Sequence, residues 1–130
     1  MFLLDTNTLI YFFKGQGRVA ERLLATSPRD IAIPAIALFE LETGLRKSSA
    51  PDKRRRQLTA LCEMVMLIPF GSDEAEAAAS VRVALEQQGR PIGPYDVLIA
   101  GTAVAHKATL VTHNQAEFAR ISGLQLVDWY

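Results

Sequence analysis

Phe2-Leu3-Leu4-Asp5-Thr6-Asn7-Thr8-Leu9-Ile10 is the stretch on which the fold turns. A short apolar run stops at the polar trio Asp5-Thr6-Asn7, and Leu9, Ile10, Phe12 and Phe13 then recur until Gly15. The pattern predicts strand, turn and helix. Downstream, Ala20, Leu23 and Leu24 give a helix between Gly17 and Thr26 that ends at Ser27-Pro28. Asp30-Ile31-Ala32-Ile33 reads as a second strand, with Pro34 in the first turn of a helix from Ala35 to Lys47. Ser48 to Pro51 is a break before an amphipathic helix carrying Leu58, Leu61, Cys62 and Val65. Leu67-Ile68-Pro69-Phe70 is a candidate strand, and Ser72-Asp73-Glu74 caps an Ala-rich helix through Gln88 that Gly89 closes. The stiff loop Arg90-Pro91-Ile92-Gly93-Pro94 delivers Asp96 to the start of an apolar helix, Val97 to His106. The chain finishes with a strand at Thr109 to Val111, a turn at Thr112-His113-Asn114, a helix from Gln115 to Arg120, and a strand from Leu124 to Val127.

Apolar strands separated by helices predict an α/β layered fold whose mainly parallel central sheet is buried on both faces and flanked by helices. In such sheets ligands bind beyond the carboxyl ends of the strands. At 130 residues and 49% hydrophobic the chain is expected to be one domain, residues 1–130, with a substantial core. Fourteen basic residues balance 14 acidic ones, so any nucleic-acid binding must come from a local patch. The lone Cys62 excludes an internal disulfide and, with no leader and no apolar run near membrane length, makes the cytoplasm the expected location.

Acids stand at these strand ends. Asp5 follows the first strand, Glu40 lies in the helix after the second, Asp96 opens the apolar helix, and Asn114 with Glu117 follows the strand ending at Val111. If they converge, carboxylates share a pocket with no Lys or Arg in the same motifs, and a divalent cation relieves their repulsion. Carboxylate oxygens suit Mg²⁺ or Mn²⁺, which polarise phosphate esters and activate water.

Each acid also has a plainer reading. Asp5 and Asp96 sit where helix N-caps are expected, Glu40 could be a solvated helix residue, and Asn114 with Glu117 could be a polar turn. Ala37 and Gly44, small and on the face of Glu40, favour close approach of another element there. Glu42 points away and is expected in solvent. The basic run Lys53-Arg54-Arg55-Arg56 fans around its helix as a solvated face, with Arg54 and Arg55 the candidates for RNA contact. Cys62 reads as core, His113 as a surface turn residue and His106 as a helix-end residue favoured by the dipole. Trp129 and Tyr130 would pack the terminus or a dimer seam.

With those residues in place, the chain resembles the PIN-domain ribonucleases, specifically the VapC toxins of VapBC toxin-antitoxin pairs. The resemblance rests on Leu4-Asp5-Thr6-Asn7, on Phe39-Glu40-Leu41-Glu42-Thr43-Gly44, on Gly89 to Asp96 continuing into Ile99-Ala100-Gly101, and on Leu110 to Phe118 with Gly123-Leu124 and Asp128-Trp129. It implies Asp5 and Asp96 as the principal Mg²⁺ ligands, Glu40 as the third acid, Glu117 and Asn114 completing the pocket, and Thr6 and Asn7 ordering its first turn. It also implies a homodimer, a cognate VapB antitoxin and an RNA substrate. Gly-Arg-Pro-Ile-Gly-Pro is similar to the subgroup that cleaves initiator tRNA in the anticodon region. Two alternatives stand beside it: a haloacid-dehalogenase-type phosphotransferase, for which Asp5-Thr6-Asn7 lacks the second Asp, and a non-catalytic α/β interaction module.

Overall fold

A computed structural model describes residues 1–130. Its five strands, β1 (Phe2–Leu4), β2 (Ile31–Pro34), β3 (Met66–Ile68), β4 (Thr109–Val111) and β5 (Gln125–Val127), form one sheet in the order β3-β2-β1-β4-β5. Every pairing is parallel. The helices are α1 (Thr6–Lys14), α2 (Val19–Leu24), α3 (Ala35–Lys47), α4 (Asp52–Met64), α5 (Ser72–Gln87), α6 (Pro94–Ala105) and α7 (Gln115–Phe118). The expected layered α/β fold is therefore present, and its sheet is parallel throughout. Leu3, Leu4, Ile33, Leu110 and Val111 of the inner strands are at most 1% exposed, each such side chain contributing roughly 1.5–3 kcal/mol through burial. The edges differ from expectation: Met66 and Leu67 on β3 and Gln125 on β5 are open, because an edge strand has no neighbour on one side.

Prolines account for several displaced boundaries. Pro28 opens a 3₁₀ turn, Pro28–Asp30, whose Asp30 N–H donates to the Ser27 carbonyl at 2.9 Å, so Asp30 is excluded from β2. Pro34 ends β2 with extended backbone instead of entering α3. Pro69 has no N–H for the ladder, and β3 stops at Ile68 instead of reaching Phe70. Pro94 occupies the first helical position of α6, which starts three residues before Val97 and sets Asp96 in its first turn.

β1 lies at the centre, with β2 and β4 on opposite sides. Connections after β1 run to one flank and later ones to the other, which makes the carboxyl end of β1 a topological switch point. Helices α5 and α6 pack closely against each other. A Cβ on Gly101 of α6 would lie 2.5 Å from the Ala78 backbone of α5, so only glycine permits this approach. The close-contact role expected of Gly44 is not observed, since Gly44 is exposed with nothing near its Cβ position.

Candidate active site

Asp5 leaves β1 as the N-cap of α1, and its Oδ1 accepts from the Thr8 N–H at 2.8 Å. Capping and site formation thus coincide in one side chain. Asp5 is 4% exposed. Burial pushes its carboxyl above the ordinary value, opposed by hydrogen bonds from Thr112 and Thr8 and reinforced by the charge of Asp128. The Asp5 N–H donates to the Val111 carbonyl at 3.1 Å, and Thr8 Oγ1 donates to the same oxygen at 3.1 Å. These bonds fix the start of α1 against the end of β4.

Glu40 is half-buried on α3, and its Oε1 accepts from Thr6 Oγ1 at 2.7 Å. Thr6 therefore aims the third acid. Asn7 has no comparable part in ordering the turn. It is exposed, and the first turn is held by Asp5 and Thr8, because successive helical residues diverge around the axis. Asn114 donates its backbone N–H to Thr112 Oγ1 at 3.0 Å, while its side chain makes no capping bond to α7. Glu117 is half-buried on α7.

Asp96 reports the convergence. Its carboxyl is pushed up to about 6, first by burial and then by the charges of Asp5, Glu40 and Glu117. Side chains from α1's cap, α3, α6 and α7 therefore act on one another, with no cation among the groups shifting Asp96. No three acids are assembled as a ready-made metal-ligand cluster; what joins them is electrostatic proximity. Carboxylates that repel in a partly desolvated site accept a divalent ion, and oxygen donors of this kind fit it.

Sequence reasoning missed Thr8, Thr112 and Asp128. Asp128 follows the end of β5, the same kind of position that singled out Asp5, and it holds His113 Nδ1 at 2.9 Å. That histidine stacks on Tyr130 with centroids 4.2 Å apart. Tyr130 in turn packs the terminus: its carbonyl accepts from the Arg18 N–H at 2.8 Å, and buried Trp129 packs on Phe2. His106 adds a contact with Glu74 Oε2, at 3.0 Å, to its helix-end position.

The basic segment is less free than expected. Glu42 is half-buried, not in open solvent, and accepts bonds from both Arg55 amino groups, one at 2.9 Å, and from Arg46 at 2.9 Å. These contacts hold the Glu42 carboxyl below its usual range. Arg54 donates to Gln57 Oε1 at 2.7 Å and lies over the Phe13 ring, 5.2 Å from its centroid. Both guanidinium groups named as candidates for RNA contact are thus engaged within the chain.

A parallel α/β domain with acids gathered at its switch point has the layout of a metal-assisted nuclease, and residues 2–124 match the PIN domain. The chain belongs to the PIN-domain family, whose nucleases generally depend on a divalent metal. Within that family it falls among the VapC ribonucleases. It is 34% identical to the tRNA(fMet)-specific endonuclease VapC of Salmonella typhimurium, over 98% of this chain and 97% of that one. It is 36% identical to ribonuclease VapC2 of Rickettsia felis, over 99% and 98%. The crystal structure of VapBC2 from Rickettsia felis bound to a promoter DNA fragment superposes with a TM-score of 0.92 at 34% identity, covering 99% of this chain and 98% of that one. The haloacid-dehalogenase and non-catalytic alternatives give way to this family. No helix is long and apolar enough to cross a membrane.

Proposed function

We propose that this chain is a Mg²⁺-dependent endoribonuclease, the toxin of a type II toxin-antitoxin pair, acting in the cytoplasm on a structured RNA such as initiator tRNA. The observation that carries the chemistry is the convergence of acids on Asp96, whose carboxyl is raised by burial and then by the charges of Asp5, Glu40 and Glu117. Asp5 and Asp96 would hold the metal; Glu40, Glu117 and Asn114 would complete the pocket. When bound, Mg²⁺ neutralises phosphate charge and lowers the pKa of a coordinated water, with Mn²⁺ a competent substitute. Thr8 and Thr112 keep the Asp5 carboxylate in a fixed orientation, and Thr6 does the same for Glu40. Glu40 is the acid best arranged to orient a water, being held by one hydroxyl and half-open to solvent.

Partner and substrate follow the relatives. Solved relatives include DNA-bound VapBC from Salmonella typhimurium, TM-score 0.92 at 34% identity. Those complexes support a VapB-type antitoxin as the partner, and a homodimer is the assembly proposed with it. The test is cleavage of total cellular RNA by purified protein. Cutting with Mg²⁺ that stops with EDTA and is lost in Asp5→Asn and Asp96→Asn supports the assignment. Full activity of either variant refutes it.

A further inference from the structure

Phe39 and Tyr95 are 51% and 46% exposed, and neither packs on the hydrophobic core. Their rings meet each other instead, edge to face, with centroids 5.6 Å apart and planes at 63°. Phe39 precedes Glu40 on α3, and Tyr95 precedes Asp96 on α6, so the ring pair lies where the two helices that carry these site acids meet. Both helices are anchored. Leu41 and Leu45 of α3 are buried, and α6 is fixed by Pro94 at its start and by Gly101 against Ala78. The backbone under both rings is consequently fixed before anything binds, which lowers the entropy lost on contact.

An RNA substrate gains from such a contact here. The acids repel the phosphate backbone, the chain is formally neutral, and Arg54 and Arg55 are already engaged. Exposed cations such as Lys53 and Arg56 can meet phosphates but read no base, whereas an unpaired base has a π-face suited to an exposed ring. We propose that Phe39 and Tyr95 form a stacking platform for an unpaired RNA base beside the scissile phosphate, a role that rests on the nuclease reading above and deepens it. The ring pair is separate from the apolar cavity of about 400 Å³ lined by Phe70, Ala78, Leu85, Ile92 and Val97.

The test uses a fluorescently labelled anticodon stem-loop of initiator tRNA and a matched set in which single loop bases are removed. Binding is measured by anisotropy with Mg²⁺ in the Asp96→Asn background, where cleavage is off. Adding Phe39→Ala and Tyr95→Ala should weaken binding of the intact loop about 5- to 100-fold. One base-free position should weaken binding in the parent but not in the doubly substituted protein, whereas Tyr95→Phe should behave as the parent. Because both rings are exposed, unfolding is checked by the melting temperature of the same samples. Unaltered affinity with an unaltered base-removal profile overturns the platform, and so does absence of binding in both proteins. A change confined to oligomeric state assigns the rings to a protein interface and overturns it equally. Loss of the nuclease reading shows separately, as failure of the wild type to cut RNA with Mg²⁺.

Discussion

Asp96 sits half-buried among other carboxylates, and the strain of that position has a sign. Its carboxyl titrates near 6 in the fold and at 3.8 without it, so the stability it contributes is fully present below 3.8 and is lost as pH rises through about 6. The displacement is equivalent to about 3 kcal/mol at full weight, which solvent screening of a half-open group reduces to about 1–2 kcal/mol. Asp96→Asn should therefore stabilise the metal-free protein by that amount at pH 7.5, barely change it at pH 4, and abolish cleavage. Denaturant melts at both pH values check it, and equal stability changes at the two would contradict the raised carboxyl. Thr6→Val should leave the melting temperature nearly unchanged while lowering turnover about 10- to 100-fold, because it releases Glu40. At this scale the acids were legible: Asp5, Glu40 and Glu117 stand just beyond a strand or in the helix that follows it, and Asp96 opens an apolar helix after a stiff proline loop. Their supports were less so: Thr112 meets Asp5, and the Thr8 hydroxyl meets the Val111 carbonyl, only because β4 lies beside β1.

Among the elements, α5 and α6 approach most tightly at Gly101. A methyl group there would meet Ala78 backbone, which cannot move aside as a side-chain end can. Gly101→Ala should cost about 1–3 kcal/mol, read as a lower denaturation midpoint with unchanged slope. Alternation of strands and helices was plain in the hydrophobic pattern, whereas this contact was not, because nothing in a helical glycine names the residue facing it. On α4, Arg55 is neutralised by Glu42 from α3, so Arg55→Ala should leave the salt dependence of RNA binding unaltered. A slope lower by nearly one would restore Arg55 as a phosphate contact. The run of basic residues was visible in sequence; its pairing across two helices was not.

For the molecule as a whole, metal binding and folding should be coupled. A divalent ion that binds only the folded form stabilises it by about 2.7 kcal/mol at a hundred times its Kd, and it also relieves the repulsion that adds to burial in lifting Asp96. Mg²⁺ should raise the melting temperature more at pH 7.5 than at pH 5, and Asp96→Asn should remove most of the gain. The parallel sheet makes this coupling possible: its order places β1 between β2 and β4, and their carboxyl ends bring distant acids together. Strand order could not be read from the chain, because the apolar runs do not encode which strand lies beside which. The most direct test is anomalous diffraction from crystals soaked in Mn²⁺. One strong peak between the Asp5 and Asp96 carboxylates is the predicted result, and a peak at neither carboxylate would contradict the shared-cation site.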